Sequence, residues 1–229
     1  MSAPLSVVIP TLDAAEALGP TLEALVPGLA AGLIRELILV DGGSSDEIEA
    51  IADAVGAELI RTEPGRGVQL AAGADAARGN WLLFLHGDTR LPPGWQDRVR
   101  AHIEAHPDAA GYFGLRFDSE AAMARVVAGW ANLRARLFAL PYGDQALLLP
   151  NVLYCQVGGY PAVPLMEDVA LIRRLGRKRV RRLPGYVTTS AERYVRAGWV
   201  RRGGRNLTTL ALYFLGASPA WLAERYRRP

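Results

Sequence analysis

Three apolar runs that each end in a polar turn constrain this chain more than any other feature. Leu5-Ser6-Val7-Val8-Ile9 runs into Pro10-Thr11, Leu37-Ile38-Leu39-Val40 into Asp41-Gly42-Gly43, and Leu82-Leu83-Phe84-Leu85 into His86-Gly87-Asp88-Thr89. Short apolar runs bounded by turn residues read as strands buried on both faces, as in parallel sheets. The stretches between them read as helices, so the order is strand, helix, strand, with right-handed crossovers. In open sheets of this kind ligands bind outside the carboxyl ends of the strands. Pro10, Thr11, Asp41 and Asp88 therefore gather along one edge. Asp88 is the leading candidate there, because a carboxylate at the mouth of a buried strand can hold Mg²⁺ or Mn²⁺ against a diphosphate. On residue type alone, a polar turn after a buried strand is the alternative.

Strands are expected at Leu5–Pro10, Leu37–Val40, Glu58–Arg61 and Trp81–Leu85, with helices near Ala14–Leu25, Ser45–Ala54, Gln69–Ala77 and Trp95–Ala105. Ser44 and Glu47 have the spacing of a capping box at the start of the second helix. After Pro107 the alternation stops. Tyr112–Phe117 reads as an extended strand, Ala121–Phe138 as a long helix and Ala146–Leu149 as a further strand. The expectation is an α/β chain with a mostly parallel, mixed sheet flanked by helices.

A chain of 229 residues, half of them apolar, is long enough for one substantial core. The lone cysteine, Cys155, gives no intramolecular disulfide or cysteine zinc site and reads as a small buried hydrophobe. No signal-peptide pattern and no run of roughly 20 apolar residues is visible, which points to the cytoplasm. Charge is lopsided: residues 1–172 carry 11 basic and 21 acidic side chains, residues 173–229 carry 15 and 2. The basic runs Arg177–Arg182 and Arg201–Arg205 lie near Trp199, Tyr213, Phe214, Trp221 and Tyr226. Arginine mixed with aromatics suits an anionic membrane surface, so peripheral attachment at the inner face of a membrane is one expectation. The alternative is a helix over Leu207–Leu215 that closes the core and keeps its arginines wet. The same aromatic helix would also serve a homodimer. No nucleic-acid-binding motif is present.

Seven segments in order carry a family resemblance: Val8-Ile9-Pro10-Thr11, Val40 to Asp46, Gly65-Arg66-Gly67, Phe84 to Thr89, Gly143-Asp144-Gln145, Val157 to Pro161 and Met166-Glu167-Asp168. Over essentially its whole length the chain resembles a family 2 glycosyltransferase of the GT-A fold, a Rossmann-like fold for nucleotide-diphosphate sugars. Within the family it is most similar to a small bacterial subgroup with His-Ala-Asp-Thr at the metal strand and a Pro-Tyr-Gly-Asp-Gln segment. Some members of that subgroup are linked to arsenosugar biosynthesis. The resemblance implies one GT-A domain, with residues 1–106 as a nucleotide-sugar-binding half, 107–190 as an acceptor-side half and 191–229 as basic amphipathic helices.

It also implies roles. Asp41 would accept the imide N–H of a uracil, with Pro10 and Thr11 beneath the base; a carboxylate bonding its own Gly42-Gly43 turn is the alternative. Arg66, flanked by glycines, would approach a diphosphate, or else be a surface arginine. Most relatives have Asp-x-Asp where this chain has His86-Gly87-Asp88, so Asp88 is the expected metal ligand. His86 is expected to contact the nucleotide or support the site rather than ligate directly. Weak metal affinity without nucleotide follows from the missing carboxylate. Asp168 would be the base that deprotonates the acceptor, with Glu167 beside it, since adjacent side chains do not normally face one point. On residue type alone, the two acids suit a helix N-terminus equally well. Asp144 and Gln145 would touch acceptor or donor sugar, and Gly158-Gly159-Tyr160 would line the acceptor side.

The implied activity is inverting transfer from a UDP-type sugar, with Mg²⁺ or Mn²⁺, to a small or lipid-linked acceptor. Two other readings exist. A non-catalytic nucleotide-sugar-binding or membrane-scaffold protein is suggested by His86 and the basic tail. A sugar nucleotidyltransferase would share the sheet, but it would carry a glycine-rich loop where this chain has Pro10-Thr11-Leu12-Asp13.

Overall fold

The structure is a computed structural model that describes residues 3–227. Its first half alternates as expected: β1 (Leu5–Thr11), α1 (Ala15–Ala30), β2 (Ile34–Asp41), α2 (Ile48–Val55), β3 (Glu58–Arg61), α3 (Arg66–Ala76), β4 (Trp81–Phe84), a short β5 (Thr89–Arg90) and α4 (Trp95–Ala105). The second half contains β6 (Ala110–Phe117), α5 (Ala122–Phe138), β7 (Leu147–Pro150), α6 (Asn151–Gln156), α7 (Glu167–Leu175) and β8 (Val180–Thr189). It ends with α8 (Glu192–Ala197), α9 (Trp199–Phe214) and α10 (Pro219–Arg227). One eight-stranded sheet joins both halves in the order β3-β2-β1-β4-β7-β6-β8-β5.

The pairings β1–β2, β1–β4, β2–β3 and β6–β8 are parallel, whereas β7 runs antiparallel to β4 and β6, and β5 antiparallel to β8. The sheet is therefore parallel where the apolar runs predicted it and mixed beyond β4. Leu5, Val7, Val8 and Ile9 of β1 are wholly buried, which is why this strand reads as a continuous apolar run. Helix α3 packs so closely that a Cβ on Gly73 would lie 2.4 Å from Val8 Cγ1 and 2.8 Å from Val40 Cγ2. Its small residues are what allow that approach. Helix α1 runs past the expected stop at Leu25 and through Pro27, because Leu18, Thr21, Leu25 and Gly28 continue one buried face.

Four expectations need correction. The capping box at Ser44 and Glu47 is absent: α2 starts after Glu47 without a side-chain cap, and the Ser44 hydroxyl bonds the Asp41 carboxylate instead. The two loops above β1 and β2 are stitched together: Ser44 Oγ accepts from Asp13 N at 2.8 Å, and Asp46 Oδ2 accepts from Ala15 N at 2.7 Å at the start of α1. Cys155 is exposed, not buried. Arg177–Arg182 is not part of a basic tail, since it forms a 3₁₀ turn and the first residues of β8, and Arg182 lies 5.0 Å from the Tyr186 ring. Strand β8 itself had no counterpart in the sequence reading.

The C-terminal helices pack back onto the domain. Met166, Val169, Leu210 and Leu222 form a buried cluster that ties α9 and α10 to the start of α7. Among the described residues, no helix is long and apolar enough to cross a membrane.

Candidate active site

At the carboxyl edge of the sheet, between β4, α7 and the C-terminal helices, lies a cavity of about 170 Å³. Arg66, His86, Asp88, Asp144, Glu167 and Asp168 all line it. Pro10, Thr11, Asp41 and Gln145 lie outside it.

Asp88 stands in the turn between β4 and β5, immediately before Thr89, and is held by the far side of the sheet. Thr89 pairs with Thr189 across β5 and β8, and their hydroxyls meet at 3.0 Å. Asp88 Oδ1 then receives only long contacts, 3.4 Å from each of these hydroxyls. The residue otherwise lines the cavity. The His86 Nε2 beside it is buried and has no hydrogen-bond partner. Burial, then the Arg66 and Arg193 charges, push the His86 pKa well below the usual histidine range, so the ring is neutral at pH 7.

The start of α3 meets the start of α7 over two glycines. A Cβ on Gly67 would stand 2.6 Å from Pro161 O and 3.2 Å from Glu167 Cβ, and one on Gly143 would stand 2.4 Å from Arg66 Nη2. Arg66 thus reaches both acids of α7. Its Nε is 2.8 Å from Glu167 Oε1, a charge contact, and its Nη2 is 3.4 Å from Asp168 Oδ2. Glu167 and Asp168 therefore do face one point, contrary to the expectation for neighbours, because a single guanidinium spans both. Asp168 is fixed further by N–H donation from Gly143 at 3.0 Å and from Val169 at 2.7 Å. Burial raises the Glu167 pKa, Arg66 opposes this and Asp168 adds to it. Met166, just before these acids, holds φ at +66°, a backbone conformation costly for a side-chain-bearing residue.

Asp144 sits in the 3₁₀ turn Gly143–Gln145 with Oδ1 buried and without a partner. Burial, opposed by Arg134 and Arg66 and reinforced by Asp168 and Asp88, pushes its carboxyl up to about 6. Gln145 points the other way. It is wholly buried, donates to Phe113 O at 3.1 Å and accepts from Tyr142 N at 3.3 Å, so it fixes the turn that presents Asp144.

Asp41 is likewise occupied by its own loop. Its carboxylate accepts from Gly43 N at 3.0 Å, Ser44 N at 2.9 Å, Thr11 Oγ1 at 3.3 Å and the Ser44 hydroxyl. Burial alone would raise its pKa, but these donors outweigh it and the carboxyl is held below its ordinary value. Gln69 Nε2 caps the ends of both strands, donating to Thr11 O at 2.7 Å and Val40 O at 2.8 Å. The Gly158-Gly159-Tyr160 turn packs inward, with the Tyr160 ring 4.9 Å from Phe84, and does not line the cavity.

Several lining residues escaped the sequence reading. Tyr194, Arg202, Asn206 and Tyr226 close the cavity from the C-terminal helices. Tyr226 Oη donates to Asn206 Oδ1 at 2.7 Å, and Asn206 Nδ2 donates to Tyr194 Oη at 3.0 Å. The tail is thus a wall of the site. Arg134 of α5 lies 3.3 Å over the Tyr142 ring, and its Nη2 is buried without a partner. Its only sequence signal was a charged residue at a core position of an amphipathic helix.

An eight-stranded α/β sheet with acidic and basic side chains converging beyond its strand ends puts this cavity where open α/β sheets bind ligands. The chain belongs to glycosyltransferase family 2: residues 6–158 match the family model. It is 36% identical over 97 residues to the glucosyl-3-phosphoglycerate synthase of Mycolicibacterium paratuberculosis, a match covering 38% of this chain and 29% of that protein. To the PGL/p-HBAD biosynthesis glycosyltransferase of Mycobacterium bovis it is 39% identical over 123 residues, or 50% of this chain and 47% of the relative. These matches span less than half the length of either relative. Among solved structures, S. aureus TarS 1–349 in complex with UDP superposes with a TM-score of 0.64 at 16% identity, covering 96% of this chain and 70% of that one. Glucosyl-3-phosphoglycerate synthase from Mycobacterium tuberculosis, crystallised with Mn²⁺, UDP and phosphoglyceric acid, superposes with a TM-score of 0.57 at 21% identity, covering 81% and 68%. The fold is that of GT-A glycosyltransferases.

Proposed function

We propose that the chain is an inverting glycosyltransferase that moves a sugar from a UDP-type donor to an acceptor hydroxyl, with a divalent metal at Asp88 and Asp168 as base. The observation that carries this reading is the convergence of Asp88, Arg66 and Asp168, from three separate elements, on one cavity at the carboxyl edge of the sheet. The family assignment and the nucleotide-bound neighbours agree with it.

The residues present fit a metal shared with the donor. Asp88 offers a carboxylate with weakly engaged oxygens, and the neutral His86 offers an unpartnered nitrogen beside it. Among the described residues no cluster of three or more metal-ligating side chains exists, so the protein alone supplies an incomplete shell. Mg²⁺ tolerates this, because it keeps waters and substrate phosphates as ligands. When bound, such an ion would neutralise charge developing on the departing diphosphate.

Asp168 takes the acceptor proton as the acceptor oxygen bonds to the anomeric carbon. The bond from that carbon to the diphosphate oxygen breaks, its electron pair leaves with UDP, and attack from the opposite face inverts the configuration. Arg66 lies 3.4 Å from Asp168 and offers a guanidinium to phosphate oxygens. Asp144 and Tyr194 are placed to orient the sugar, and Asp41 serves the nucleotide end by fixing the loop beside Thr11.

The test is UDP release from a panel of UDP-sugars with Mn²⁺ or Mg²⁺, for the wild type and for Asp168→Asn. Turnover lost in the variant while UDP binding persists is the expected result. Turnover unchanged in Asp168→Asn overturns the base assignment.

A further inference from the structure

A second depression, of about 650 Å³, lies between α5, α7 and α9. Its walls are Trp130, Phe138, Leu140, Ile172, Leu207 and Phe214, and four of these (Trp130, Phe138, Leu207 and Phe214) stand substantially exposed. Lone exposed apolar residues need no explanation, but a contiguous apolar groove of ligand size, roughly 300–1,000 Å³, does.

Three further observations bear on what fills it. The charged residues around the groove are Arg134, Arg173 and Arg177, with no acid among them. Arg134 is 6% exposed, and its Nη2 is buried without a partner. A small gap of about 60 Å³ adjoins both the groove and the active site, sharing Trp130, Arg134, Leu207 and Leu210 with the first and Tyr142, Asp144, Tyr194 and Asn206 with the second. Apolar walls and a cationic rim thus stand next to the cavity that Asp144 and Asp168 line, with Arg134 bordering both the groove and the gap between them.

We propose that this groove holds the hydrocarbon chain of the acceptor, a lipid with an anionic headgroup that meets Arg134 where the groove borders that gap. The acceptor role rests on the transferase reading above, whereas binding in the groove does not. An anion at Arg134 gives the orphaned guanidinium N–H a partner, and the chain covers apolar surface that water now touches. A second copy of this chain would bring its own like-charged rim against Arg173 and Arg177, which disfavours a self-complementary dimer at this face.

The experiment is calorimetric titration of the whole chain with dodecyl phosphate below its micelle concentration, beside dodecyltrimethylammonium and inorganic phosphate. Ala211→Trp, at an exposed position on the groove wall, fills the groove without touching the catalytic residues. Saturable binding of dodecyl phosphate is expected, about tenfold tighter than the cationic amphiphile and about tenfold weaker in Ala211→Trp, with UDP binding unchanged. Binding that ignores headgroup charge or the tryptophan overturns the proposal. So does a dimer that Ala211→Trp dissociates while dodecyl phosphate fails to bind. If dodecyl phosphate binds but UDP with Mn²⁺ does not, the acceptor role falls with the transferase reading.

Discussion

Arg66 and Asp168 are separated by 102 positions in the chain and meet at 3.4 Å in the cavity wall. One residue opens α3 and the other sits in the first turn of α7, so the helix that would serve the donor is fastened to the helix that would serve the acceptor. Arg66→Gln leaves Glu167 and Asp168 facing each other without a cation. It is expected to cost about 1–3 kcal/mol at pH 7. The deficit should shrink on acidification, because burial already raises the Glu167 pKa and a protonated Glu167 no longer repels its neighbour, and urea midpoints at pH 5 and 7 would read it. Equal deficits at both would show that the loss is one of packing and not of charge.

Asp88→Asn should abolish stabilisation by UDP with Mn²⁺ and leave the unliganded melting temperature nearly unchanged, because the wild-type carboxylate makes only long contacts within the protein. At a ligand concentration of 100 times Kd the wild type should gain about 2.7 kcal/mol. Thermal melts with and without nucleotide decide the matter, and a retained metal-dependent shift would point to another ligand set.

Asp144 gives a pH signature of definite sign. Its carboxyl titrates at about 6 in the folded protein, against 3.8 as the ordinary value. Between these values the folded state holds a proton that the unfolded state has lost, so Asp144 makes stability fall as pH rises through that window, with the full penalty above it. Asp144→Asn lacks this term. The stability difference between variant and wild type should therefore grow in the variant's favour from pH 4 to pH 6 and then level off. A difference that stays flat across that window would remove Asp144 from the account.

Two glycines make opposite predictions. Gly67→Ala puts a methyl against Pro161 O at 2.6 Å and Val163 O at 3.1 Å, both backbone atoms that cannot step aside. A loss of about 1–3 kcal/mol, with weaker turnover, is expected. Gly129→Ala, at an exposed position within α5 with open space around it, should gain about 0.5–1 kcal/mol. Denaturant titrations of the pair would expose the contrast, and a destabilising Gly129→Ala would contradict it.

Strands with continuous burial announce themselves, and β1, β2 and β4 were readable to within a few residues because unbroken apolar runs, Val7–Ile9, Leu37–Val40 and Trp81–Phe84, lie at their centres. Strand β8 was not. Arg181, Arg182, Pro184 and Gly185 give it the composition of a basic loop, and its pairing with β6 depends on a neighbour that comes 70 positions earlier. Since Thr189 on β8 touches Asp88, the support for the proposed metal ligand was hidden along with the strand. Asp88, Asp144, Glu167 and Asp168 were legible as acids beside turns or helix starts. What they share, the guanidinium of Arg66 and the wall of Tyr194, Asn206 and Tyr226, arises from tertiary packing that no local pattern encodes. Gln145 and Asp41 were read as contacts for ligands, yet in the folded chain both carry the hydrogen bonds that shape their own loops.

The wall formed by α8 to α10 also sets an order of events during synthesis. Domains emerge amino end first, so β1 to β4 and their strand-end loops can assemble while the rest of the chain is still being made. Asp168 can join Arg66 later, once α7 has emerged, but the chamber around them stays open to water until Tyr226 can reach Asn206. A partly made chain of this design can carry the edge proposed to bind the donor well before it has a closed place in which to spend it.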